Sequence, residues 1–173
     1  MKSALEKSLA AICLALPMWA QAQTVGDWRI GNLDAGAGMY AATVNESKSV
    51  LGQFCQVEGD DFPCYWLLSI DIDCEPGESY IVLVNADHRA VPLEMLCAPL
   101  ERANRYAFRD FDMIDSIVRS STRMGIAFPM QSGQFQVSRF SLDGAGKAGT
   151  RCAAKSSRKL SRPRSCETRR CSV

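Results

Sequence analysis

Four cysteines, Cys55, Cys64, Cys74 and Cys97, are set among short apolar runs in the middle of the chain. What they impose depends on the compartment in which the chain folds. In an oxidising compartment an even set of four is a disulfide framework; in a reducing one it points to a metal or a reactive thiol. Residues 1–22 decide between the two. Lys2 and Lys7 precede the apolar run Leu9-Ala-Ala-Ile-Cys-Leu-Ala-Leu16, Pro17 breaks it, and Ala20-Gln21-Ala22 supplies a small-x-small cleavage pattern. The run is well short of the roughly 20 apolar residues that span a bilayer. It reads as a secretory signal peptide, and no later stretch is a transmembrane segment. The mature chain is expected in the periplasm or secreted.

Four cysteines permit three pairings. The expected one joins Cys55 to Cys64 and Cys74 to Cys97. The first bridge closes a short acidic loop that contains Gly59 and Pro63, and the second clamps the open end of a hairpin. Each stabilises the fold by about 2–4 kcal/mol, chiefly by restricting the unfolded chain. No Cys-x-x-Cys pair and no histidine cluster supports a zinc site in their place.

The runs between and around the cysteines carry the periodicity of strands. Residues 24–30 read as one half-buried strand, with Trp28 and Ile30 alternating with Arg29. Residues 39–44 and 50–55 are further candidates. Residues 64–73 place Trp66, Leu68, Ile70 and Ile72 on one face. Residues 79–85 are apolar without a break, which suits a central strand covered on both faces. They form a hairpin with residues 91–97, whose Pro92 predicts an edge position or one that needs no ladder bond. Residues 110–124 are the one convincing helix. Asp110 caps it, Phe111, Ile114, Ile117 and Val118 form its apolar stripe, and Gly125 stops it. Residues 125–130 and 134–142 resume as strands. The apolar phase slips between Val137 and Phe140, and a β-bulge near Ser138 would turn Phe135 and Phe140 both inward. Seven or eight strands and one packed helix predict a mainly β domain over residues 23–146, a compact antiparallel sandwich or small barrel.

From Lys147 the composition shifts. Nine Lys and Arg residues face a single acid, Glu167, so residues 147–173 carry about +8, while residues 23–146, with nine basic and seventeen acidic residues, carry about −8. The basic stretch has almost no apolar residues and is expected to be a disordered tail. Three roles fit it: an anion-binding arm, a segment folded back on the acidic body, or the product of a shifted reading frame. Its three cysteines, Cys152, Cys166 and Cys171, are an odd number in an exported chain.

Chemistry-bearing motifs are sparse. His88, the single histidine, lies in a hairpin loop. No serine sits in a Gly-x-Ser-x-Gly setting, and no glycine-rich phosphate loop precedes a helix. Asp71, Asp73 and Glu75 alternate near Asp60 and Asp61, but without the spacing of a calcium loop. No catalytic residue, metal ligand or cofactor is therefore assigned.

The Gly26-Asp27-Trp28-Arg29-Ile30 opening, the paired mid-chain cysteines and the closing Phe135-x-Val-x-x-Phe-Ser-Leu-Asp-Gly144 strand resemble the invasion-associated locus B family. The resemblance implies a small periplasmic β-protein of a Gram-negative bacterium and brings no catalytic residues with it. The helix at residues 110–124 has no counterpart among those motifs.

These readings converge on an exported, non-enzymatic, envelope-associated protein that binds a macromolecule of the envelope or outside the cell. Nucleic acid is not an expected partner. An acidic body favours a basic partner, so an inhibitor of a cationic lysozyme-like enzyme is the nearest alternative. A hydrolase using Asp71, Asp73 or His88 is the alternative of a different class. Mass analysis of the exported protein is expected to find Gln23 at its N-terminus; an intact Met1 would refute the signal peptide.

Overall fold

The computed structural model describes residues 22–33, 37–59, 61–100, 103–130 and 132–160. The signal stretch up to residue 21 and residues 161–173 lie outside these. The described residues form a single antiparallel sheet of β1 (Gln23–Val25), β2 (Trp28–Asn32), β3 (Gly38–Val44), β4 (Val50–Gln56), β5 (Cys64–Ser69), β6 (Ser79–Ala86), β7 (Arg89–Leu100), β8 (Ala103–Phe108), β9 (Arg123–Pro129) and β10 (Phe135–Ser141); period-two alternation is clearest in β6, β9 and β10. The spatial order is β1-β2-β3-β4-β5-β8-β7-β6-β9-β10. Helix α1 (Phe111–Ser120) connects β8 to β9, and α2 (Ala145–Leu160) follows β10.

The sheet curls so that its last strand returns to its first turns. The Trp28 indole N–H donates to the Ser141 carbonyl at 3.2 Å, and the Asp27 amide donates to the Asp143 carbonyl at 3.1 Å. The buried hydroxyls of Ser49 and Ser138 meet at 3.3 Å, joining the β3–β4 turn to β10. At this seam the backbones run too close for side chains. A Cβ on Gly26 would lie 2.4 Å from the Asp143 oxygen, and one on Gly144 would lie 2.1 Å from the Val25 oxygen; both residues also hold positive φ. The enclosed core includes Trp28 edge-on to Trp66 at 5.9 Å, and a cluster of Tyr80, Tyr106 and Phe128 with ring centres 4.7–5.5 Å apart.

Both expected bridges are present, Cys55–Cys64 and Cys74–Cys97. Cys55 and Cys64 lie directly opposite each other on β4 and β5. Cys74–Cys97 ties the β5–β6 loop to the open end of the β6–β7 hairpin, where the Gly77 amide also donates to the Cys97 carbonyl. Pro92 stands opposite Leu83 on β6, in the part of β7 that β8 does not reach, so no ladder bond is lost.

Several expectations are corrected. The opening strand is a hairpin, because Gly26 adopts φ +56° and turns β1 into β2. Strand β8 was not expected at all; it pairs with both β5 and β7. Helix α1 starts at the Asp110 cap, whose carboxylate accepts from the Met113 amide, but it ends at Ser120. Gly125 is inside β9 and does not stop the helix, since Asp87 at the β6–β7 tip accepts from the Thr122 amide and hydroxyl and starts the next strand early. No bulge interrupts β10: it pairs with β9 residue for residue from Phe135 to Ser141. Phe135 is 65% exposed and Phe140 only 3%, so the two point to opposite faces. β6 is covered on one face only, with Val82 and Val84 buried and Ile81 and Leu83 outside.

The largest correction concerns the basic stretch. Up to Leu160 it is helix, not a disordered tail. Ala145, Ala148 and Cys152 recur at helical spacing and are buried on the sheet. Arg119 of α1 fastens it, donating to the Gly146 carbonyl at 3.3 Å and the Thr150 hydroxyl at 2.9 Å while paired with Asp115. Trp66 donates to the same Asp115 carboxylate at 3.3 Å, so β5, α1 and α2 form one network.

Two outcomes test this packing. Ala148→Leu, which forces a larger side chain under α2, is expected to destabilise the fold by about 1–3 kcal/mol, whereas Ala154→Leu on the exposed side stays within about 0.5 kcal/mol; urea denaturation of both variants checks this, and equal values would undo the docking of α2. The second concerns Tyr106, whose hydroxyl donates to the Ile72 and Asp73 carbonyls, both at 3.3 Å. Burial, with lesser effects of Tyr80 and Asp73, pushes this phenol from 10.0 up to about 12. A raised folded pKa makes a contribution that is full below the unfolded value and is lost as pH climbs through the folded one. Stability measured from pH 10 to 12 is therefore expected to fall less steeply in Tyr106→Phe than in the parent.

Candidate functional site

The residues that invited a catalytic reading are not assembled. His88 is exposed at the tip of the β6–β7 hairpin, while Asp71 and Asp73 are exposed in the loop that precedes β6. The eight residues of β6 separate them, a span on the order of 20 Å at strand rise. Asp87, beside His88, serves the fold: hydrogen bonds from the Thr122 hydroxyl and amide hold its carboxyl below the usual carboxylate range. Among the described residues, no group of three or more His, Cys, Asp or Glu side chains could hold a metal ion.

What the strands do assemble is an exposed apolar face. In antiparallel register Leu83 of β6 faces Ala127 of β9, which faces Val137 of β10. Two residues along, on the same outer face, stand Ile81, Pro129 and Phe135, with Pro129 and Phe135 directly paired. Ile81 is 59% exposed, Leu83 45% and Val137 44%. A contiguous cross-strand patch of this kind is more informative than scattered surface apolar residues. Beside it runs an open groove of about 1240 Å³ between the β3–β4 turn and β6, β9 and β10. Leu83 and Val137 line its apolar side, and Asp87, Arg123 and Arg139 bring both charges to it.

A second recess, of about 370 Å³, lies on the outer face of β4, β5, β7 and β8, floored by Leu67, Leu96 and Ala107. Phe54 and Tyr65 stand opposite each other there, and Arg109 at the rim is ion-paired with Glu94 at 3.3 Å.

The sulfur framework has a third member. Cys152 on α2 is fully buried, and its thiol lies 3.8 Å from the Cys55 sulfur. Burial pushes this thiol up to about 11. Sequence reasoning missed both the apolar face and this contact. The face was signalled by apolar residues at both parities of residues 79–85 and by the phase slip in β10. The contact had no local signal, since the two cysteines are 97 residues apart.

No protein-family model matches the chain, and no curated protein matches it. Among solved structures, the crystal structure of invasion associated protein B from Bartonella henselae is similar, with a TM-score of 0.53 at 14% sequence identity. The likeness covers 78% of this chain and 97% of that one, and it shows a shared fold.

Proposed function

We propose that this chain is an exported, non-enzymatic, envelope-associated protein that binds a macromolecular partner through the outer face of β6, β9 and β10. The observation that carries the reading is that face itself: Ile81, Leu83, Phe135 and Val137 stand exposed in adjacent rows on a disulfide-braced sheet. Rigid strands present them in a fixed pattern, so little side-chain or backbone ordering opposes association. The mixed charges of Asp87, Arg123 and Arg139 supply a polar rim around an apolar centre. Periplasmic residence is supported by the two disulfides and by the signal pattern of residues 1–22. No helix among the described residues is long and apolar enough to cross a membrane. The fold shared with an invasion associated protein is consistent with an envelope setting.

The test is crosslinking in an envelope fraction with three proteins: the parent, Leu83→Ser/Phe135→Ser, and Asp71→Ala/Asp73→Ala/His88→Ala. The first pair of changes removes apolar surface that is already exposed, so thermal stability is expected to hold. The parent and the triple variant are expected to retain the same crosslinked partner and the double variant to lose it. Retention by the double variant, or loss in the triple variant with its fold intact, would reject this face as the binding site.

A further inference from the structure

We infer that Cys55, Cys64 and Cys152 form a thiol–disulfide exchange centre, in which α2 can be fastened covalently to β4 by a Cys55–Cys152 bridge in place of Cys55–Cys64. Three sulfurs converge at one place in the core. Cys55 and Cys64 are bonded across neighbouring strands, and the Cys152 thiol points at the Cys55 sulfur from 3.8 Å. A disulfide requires about 2.05 Å between sulfurs, so the approach needed from 3.8 Å is under about 2 Å.

The step balances within the chain. The Cys152 thiol gives up its proton, its thiolate attacks the Cys55 sulfur, the Cys55–Cys64 bond breaks, and Cys64 leaves as a thiolate that takes up a proton. One disulfide is consumed and one formed, so no external oxidant or reductant enters. The direction of attack follows from exposure as well as distance. Cys55 and Cys152 are buried, whereas Cys64 is half-buried at the start of β5. The leaving sulfur is thus the one nearest solvent, and the exchanged form presents a reactive thiol at the surface end of the β4–β5 ladder. A small external disulfide or a partner's disulfide is the chemical class that this thiol would take up. The high pKa of the Cys152 thiol keeps its thiolate scarce near neutral pH, which leaves Cys55–Cys64 as the resting pair.

The full exported chain tests this in two ways, each read by peptide mass mapping without reduction. In Cys64→Ser, Cys55 and Cys152 are expected to escape alkylation and to appear as one linked peptide. Finding both alkylated, or Cys55 linked to Cys166 or Cys171, would overturn the inference. The parent protein supplies the second arm, independent of how well the variant folds. On prolonged native incubation with N-ethylmaleimide, label is expected on Cys64 together with a Cys55–Cys152 linked peptide. Label confined to Cys152, or absent from both Cys64 and Cys152, would overturn it equally.

Discussion

The hydrogen bond from the Trp28 indole to the Ser141 carbonyl, with the Asp27–Asp143 backbone bond beside it, is the contact on which the architecture turns. A single sheet of ten strands has two edges and two faces to cover. Bringing β10 back to the β1–β2 turn hides part of an edge and makes the two ends of the sheet share one interior. Trp28 can meet Trp66 only because the sheet has curled. The glycines at 26 and 144 permit the approach, since a Cβ at either position would strike the opposing backbone. Helix α2 begins immediately after that seam, at Ala145, and is delivered over β2, β3 and β4. The seam therefore also decides which cysteine the helix brings to Cys55.

Much of the fold was legible because it is written in local patterns. Residues 39–44, 50–56 and 64–69 are strands where short apolar runs are bounded by turn residues, Asp110 is a good N-cap, and the pairing of four cysteines follows from loop and hairpin geometry. The departures share a cause: an apolar pattern in a strand need not serve the core. The sequence suggests a bulge that turns Phe135 inward and a covering layer over Ile81 and Leu83, because exposed apolar rows are costly unless they are used. The strands in fact alternate without interruption, and the apolar residues simply face outward. Helix α2 was missed for the opposite reason. Its buried face is Ala145, Ala148 and Cys152, too small to register as a hydrophobic stripe among nine basic residues of the same stretch, yet small enough to let the helix lie close against the sheet.

That helix changes how the composition shift after Gly146 is understood. A basic stretch whose first part buries alanine and cysteine under a hydrogen-bonded Arg119 belongs to the fold up to Leu160. The boundary between the acidic body and the basic segment is thus not a domain boundary. The sheet and the basic helix are packed together, with Ala145, Ala148 and Cys152 buried between them.

The two bridges also differ in what they do mechanically. Cys74–Cys97 holds the β5–β6 loop against the hairpin it leads into, beside the Gly77–Cys97 backbone bond and the Tyr106 hydroxyl on the Ile72 and Asp73 carbonyls. Cys55–Cys64 joins residues that the β4–β5 ladder already places opposite each other, and the Gln56 amide already closes that loop by donating to the Pro63 carbonyl. A crosslink stabilises in proportion to the freedom it removes from the unfolded chain, which grows with the logarithm of loop length. The Cys55–Cys64 loop spans 9 residues and a Cys55–Cys152 loop would span 97. The logarithmic rule favours the longer loop by about 2 kcal/mol, before any native-state strain is counted. The bridge that is present is thus the entropically weaker of two that share Cys55, and its alternative would fasten α2 covalently to β4. A fold with that arrangement stores in a buried thiol the means to trade a redundant staple for one that locks its last helix.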